Sequence, residues 1–207
     1  MYGLEHYTKD QLDLLIKLPY RIGLFVSSSD DTGGDESAEA EMQALSLIVT
    51  SFAEDYLKSQ FVQTMMEQTV SRRNEWESWG ENIEAVPGEC FKAIDLLCDY
   101  LDRKQVASFK LTMMEIATSV AMAYREFDDN SDISTRIKMY SRVLLDRLRA
   151  IMNGNKSFNA DEVFNVSDAE RRALDKLIES LDLSSTRRQA KYIDPTIDPD
   201  EQNTQSA

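Results

Sequence analysis

The sequence predicts an all-α fold, a helical bundle. The helix formers Leu, Met, Ala, Glu and Lys are common, and Gly and Pro are scarce at 7 and 4 of 207 residues. Alternating β-branched runs are rare, whereas apolar residues recur at helical spacing along most of the chain. We therefore expect one all-α domain over residues 1–183, followed by a disordered polar tail over residues 184–207.

The first two helices are predicted from a cap and from two apolar stripes. Thr8 is the expected N-cap of the first helix, which Pro19 should kink or split. A second helix should start near Ser37 or Ala38. Its apolar stripe reaches Met66, which allows the helix to continue that far.

The middle of the chain predicts a short helix followed by a loop over residues 72–88. A third helix over residues 87–102 begins with Pro87, which suits a first-turn position. A fourth covers residues 105–127, and its Ala- and Met-rich face predicts close, central packing. The residues of the third helix expected to face inward are Phe91, Ile94, Leu97, Cys98 and Leu101.

The last third of the chain predicts two more helices. One covers residues 134–152 and lies in a predicted insertion over residues 132–165. The other follows Ser167, which forms a predicted capping box with Glu170. Its buried stripe is expected to contain Leu174, Leu177, Ile178 and Leu181.

Charge and composition restrict the classes of function. A formal net charge of −14 and a pI near 4.5 argue against nucleic-acid binding and predict repulsion from anionic lipid. Divalent cations and basic protein partners are electrostatically compatible with such a chain. No signal peptide or spanning apolar segment is apparent, which predicts a cytoplasmic protein with reduced, buried cysteines. The single histidine, His6, argues against His-dependent nucleophile systems and zinc sites.

An acidic turn over residues 27–41 is the most informative segment for function. It contains six carboxylates and no Lys or Arg, and Gly33-Gly34 permits a tight turn. Such a cluster is either a hard-cation site or a solvated helix start. It does not fit an EF-hand loop, because Ser28 rather than Asp would stand at the first position. The six carboxylates are those of Asp30, Asp31, Asp35, Glu36, Glu39 and Glu41.

The acidic turn has a counterpart later in the chain. There an apolar helix precedes Asp128-Asp129, and an acid, Glu170, lies in the first turn of a later helix. Each unit is a helix, an Asp pair, a turn and an acid at a helix start. Taken singly, each acid is explained by helix capping or a helix N-terminus, whereas the two turns together suggest a metal-associated role.

This duplicated pattern resembles the tellurite-resistance TerB-like helical domain family. The resemblance implies two pseudosymmetric helix–acidic loop–helix units and a negatively charged, metal-associated surface. The first unit would cover residues 14–56 and the second residues 111–183. The family's acidic positions carry over to Asp30, Asp31, Glu39 or Glu41, Asp128, Asp129 and Glu170. Ca²⁺ or Mg²⁺ would suit such oxygen ligands.

Three functions are compatible with the sequence. The first is a non-enzymatic scaffold whose acidic face binds a divalent cation or a basic or membrane-associated protein partner, in a tellurite-type stress response. The second is a metal-dependent hydrolase that uses the same carboxylates. The third is an interaction protein without a ligand.

Trp76 and Trp79, with Arg72 and Arg73, form either a partner patch or, as we favour, a core anchor under a loop.

Overall fold

The computed structural model describes residues 4–29, 35–54, 59–123 and 167–181, and it is all-α throughout these ranges. This confirms the predicted all-α class, whereas the two pseudosymmetric units implied by the resemblance stay a prediction. The predicted helix over residues 134–152, the insertion and the tail lie outside the described residues. The α-helices are α1 (Lys9–Ser27), α2 (Asp35–Glu54), α3 (Gln60–Ser71), α4 (Val86–Tyr100), α5 (Arg103–Ala123) and α6 (Asp168–Ser180).

Helix α1 begins at the predicted cap. The Thr8 hydroxyl accepts a hydrogen bond from the backbone N–H of Gln11, and the Gln11 side chain accepts one from the backbone N–H of Thr8. Pro19 lies inside α1 but does not split it, because the helix is continuous on both sides. The buried part of α1 packs against α2, α3, α4, α5 and α6, so α1 runs through the centre of the bundle.

The predicted second helix begins close to the expected residue, but its continuation to Met66 is wrong. Helix α2 starts at Asp35, before the expected Ser37, and ends at Glu54. The chain is extended at Ser59, whose hydroxyl accepts a hydrogen bond from the N–H of Val62 and caps a separate helix, α3. The apolar stripe that continues to Met66 therefore belongs to two helices. Stripe periodicity alone did not indicate this break.

Two 3-10 helices, Arg73–Gly80 and Ile83–Ala85, connect α3 to α4. Asn82 lies between them with φ 51° and ψ 49°, a left-handed conformation that Asn adopts more readily than most residues. In α4, Ile94 and Leu97 face inward as predicted. Phe91 and Cys98 are exposed instead, because the buried face of α4 is centred on Val86, Cys90, Ala93, Ile94 and Leu97.

Helix α5 packs centrally, as its composition predicted. It contacts α1, α2, α3, α4 and α6. Met113 and Met114 are fully buried in α5, and Met65 and Met66 are fully buried in α3. Flexible thioether side chains of this kind fill irregular space between helices.

One glycine permits close packing of side chains from α2 and α5 against α1. A Cβ atom built on Gly23 of α1 would lie 2.2 Å from Cδ1 of Leu45 and 3.3 Å from Cγ2 of Val120. Leu45 belongs to α2 and Val120 to α5, and both side chains are fully buried. A side chain at residue 23 would therefore force the Leu45 side chain to shift within the packed core between these helices.

Helix α6 begins at the predicted capping box. The Ser167 hydroxyl accepts a hydrogen bond from the N–H of Glu170, and the Glu170 carboxylate accepts one from the N–H of Ser167 at 2.7 Å. Leu174, Leu177 and Leu181 are fully buried, as expected from the stripe. Among the described helices, none is both long and apolar enough to cross a membrane.

Candidate functional site

The predicted cation site is only partly covered by the described residues. Asp30, Asp31, Asp128 and Asp129 lie outside them. Glu39 and Glu41 lie on α2, but their side chains are outside the described part of the structure. The metal-associated role suggested for the two Asp-pair turns therefore stays a prediction.

Glu170 is the one predicted ligand whose side chain is described. It is 2% exposed, and one carboxylate oxygen is used in the capping box of α6. This is the structural alternative that the sequence offered for Glu170. Within the described parts of the chain, no group of three His, Cys, Asp or Glu side chains lies close enough together to hold a metal ion.

The two tryptophans lie in the core. Trp76 and Trp79 are 6% and 2% exposed, so little indole surface is available to a partner. Trp76 stacks on Tyr20 of α1 with ring centroids 4.6 Å apart, and Trp79 meets the same ring edge-on at 6.1 Å. The Trp76 indole N–H also donates to the carbonyl of Thr69 at 3.1 Å. The pair anchors the first 3-10 helix to α1.

Arg72 belongs to an ion-pair cluster between α1 and this 3-10 helix. Its guanidinium lies 2.8 Å from the Asp13 carboxylate and 2.6 Å from that of Glu75, and over the ring of Trp79. Burial alone would raise the pKa of Asp13, but the hydrogen bonds from Lys17 and Arg72 outweigh it, and the pKa is lowered. The hydrogen bond from Arg72 lowers the pKa of Glu75. Arg72 is thus engaged within the molecule, while the neighbouring Arg73 is exposed.

A buried arginine, Arg21, organises the connection between α1 and α4. Its Nε donates to Oε2 of Glu89 at 2.8 Å, and Nη2 donates to Oε1 of Glu89 at 3.0 Å. Nη1 donates to the carbonyls of Trp79 and Glu81, and Nη2 also donates to the carbonyl of Asn82 at 3.1 Å. All five guanidinium N–H groups therefore have acceptors. We call this arrangement the Arg21 hub.

The Arg21 hub was missed from the sequence, although a signal is present. Arg21 interrupts the apolar stripe of α1 between Tyr20 and Ile22, at a position where a charge must be paired if it is buried. Its partners lie 58 to 68 residues further along the chain. Because every donor is used inside the fold, the hub stabilises the 3-10 helices and has no donor left for a ligand.

Exposed carboxylates concentrate beside the hub. Residues 74–102, which we call the acidic segment, contain eight carboxylates and one lysine, and so carry half of the chain's net charge of −14. Glu75 and Glu89 are paired with arginines, whereas Asp95 and Asp99 share the outer face of α4 one turn apart. The exposed carboxylates of the segment are those of Glu77, Glu81, Glu84, Asp95, Asp99 and Asp102.

The two cysteines have different surroundings. Cys90 is buried, and burial raises the pKa of its thiol to about 12, which leaves it protonated and unreactive near neutral pH. Cys98 is exposed, so the prediction that both thiols are buried is wrong for Cys98. Its position on the outer face of α4 accounts for the difference.

Comparisons with known proteins complete the description. No family model, no curated protein and no solved structure matches this chain. The resemblance to the TerB-like family therefore stays a prediction based on the duplicated acidic pattern.

Proposed function

We propose that this protein is a non-enzymatic helical binding module whose acidic segment meets a basic protein partner. The observation that carries the proposal is the exposure of six carboxylates over 29 residues, beside a connection whose backbone is held at residues 79–82 by the Arg21 hub. A fixed array of like charges attracts an oppositely charged partner and orients it during encounter. Nucleic acid and anionic lipid would be repelled by the same array.

Rigid support favours this proposal over a role for the acids in solubility alone. The backbone carbonyls of Trp79, Glu81 and Asn82 accept hydrogen bonds from one buried guanidinium, which fixes the path of the segment at these residues. Binding to a pre-formed surface avoids the entropy cost of ordering it. The stress-response role and the cytoplasmic location rest on the resemblance and on composition, and they stay predictions.

A matched pair of triple variants tests the proposal. The first neutralises the acidic segment with Glu81→Gln, Glu84→Gln and Asp99→Asn. The control makes the same chemical changes at exposed acids of α3 and α6, with Glu67→Gln, Glu179→Gln and Asp175→Asn. Both change the net charge equally. The probe is a synthetic Lys- and Arg-rich peptide, and its affinity is measured by fluorescence anisotropy at low and physiological salt.

The expected difference follows from the energy of exposed ion pairs. Three lost contacts of about 0.3–0.7 kcal/mol each weaken binding by about 1–2 kcal/mol, which raises Kd roughly five- to thirty-fold. The control triple should raise Kd less than about twofold, since it changes only the long-range field. Equal weakening by both triples would mean that the peptide responds to total charge, and the proposal would then be wrong.

The predicted cation site has its own test. Calorimetric titration with Ca²⁺ or Mg²⁺ should give a saturable heat that Asp31→Ala combined with Asp128→Ala removes. The acidic-segment triple serves as the control, because its carboxylates are not among the predicted ligands. Absence of saturable heat in the unaltered protein would refute the cation site and leave the basic-partner proposal unaffected.

A further inference from the structure

We draw no further inference here: the strongest candidate, the outward face of α4 that exposes Phe91 beside Asp95 and Asp99, belongs to the acidic segment already described, and nothing in the structure shows what covers its apolar part.

Discussion

Replacing Arg21 by methionine should destabilise the protein strongly. The substitution retains apolar volume on α1 but removes all five hydrogen bonds of the Arg21 hub. It leaves the Glu89 carboxylate without its partner and the carbonyls of Trp79, Glu81 and Asn82 without these donors. The unfavourable state is a partly desolvated carboxylate next to backbone carbonyls that have lost a donor, of which that of Asn82 keeps a second bond, from the N–H of Ala85 at 3.1 Å.

The magnitude can be derived from the burial of the two partners. Removing one member of a buried ion pair costs about 3–5 kcal/mol. The Arg21 side chain is 8% exposed, whereas that of Glu89 is 24% exposed, so water can partly solvate the carboxylate left behind. We therefore expect about 3 kcal/mol, a large share of a total stability on the order of 5–15 kcal/mol.

The assay is urea unfolding followed by far-UV circular dichroism, combined with native-state hydrogen exchange. Protection of the amides in residues 73–85 should fall more than protection in α5, since the hub fixes only the former segment. Arg72→Met is the control. Its side chain is 29% exposed and its ion pairs lie near the surface, so a cost below about 1 kcal/mol is expected.

Two outcomes would refute this explanation of the hub. One is an Arg21→Met variant no less stable than Arg72→Met, and the other is unchanged exchange over residues 73–85. If Arg21→Met does not fold, Arg21→Lys replaces it in the comparison. Lysine keeps the charge but has three donors instead of five. The Arg21→Lys variant should therefore be more stable than Arg21→Met and less stable than Arg72→Met.

Three further predictions concern packing, capping and acid stability. Gly23→Ala should lower the free energy of unfolding by about 1 kcal/mol, because overpacking against Leu45 outweighs the gain in helix propensity. In a Leu45→Ala background, urea unfolding should show that this cost is abolished. An unchanged cost there would exclude the steric cause. Glu170→Ala should lower the free energy of unfolding by about 1 kcal/mol through loss of the capping box, and Glu170→Gln should lower it less. If Glu170→Gln alone removed the heat of cation titration, the side chain would instead be assigned to a metal. The pKa of Asp13 is lowered in the folded protein, so its stabilisation is present above the unfolded pKa near 3.8 and is lost as the pH falls through the lower folded value. Asp13→Asn should therefore lower stability by up to about 1 kcal/mol near neutral pH and reduce the dependence of stability on pH below about 3.8; an unchanged pH profile would contradict this.

Features determined by nearby residues could be predicted from the sequence. The capping boxes at Thr8 and Ser167 involve residues three positions apart, so a short segment contains all the chemistry that the cap requires. The inward stripes of α5 and α6 follow from helical periodicity in the same way. These elements were confirmed because their local preferences agree with the tertiary structure.

Features determined by distant contacts could not be predicted in this way. The apolar stripe on both sides of Ser59 is equally compatible with one helix or two, and the extended conformation of Ser59 decides between them. Phe91 fits an inward stripe by spacing, but the neighbours of α4 lie on the side of Cys90 and Ile94. Arg21 is the clearest case, because the carbonyls that pair with it have no signature of their own in the sequence.

The candidate site shows the same difference between features set by nearby residues and features set by distant contacts. The acidic turn over residues 27–41 is apparent from the sequence because its six carboxylates lie within twelve residues. The acidic segment contains more carboxylates, but they are spread over 29 residues and separated by the apolar positions of α4. Charge counted over a window of that length would have identified it. The fixed backbone at residues 79–82 could not have been predicted, since the hub supplies it.

The Arg21 hub also has a consequence for folding kinetics. It joins residues up to 68 positions apart, and closing a loop of that length costs about 4 kcal/mol of chain entropy before any bond is formed. Such contacts should form after the rate-limiting step, so the hub should control how long the native state survives more than how quickly it is reached. Arg21→Met should then speed unfolding about a hundred-fold in stopped-flow experiments and leave the folding rate nearly unchanged, and a comparable slowing of folding would place the hub in the transition state instead.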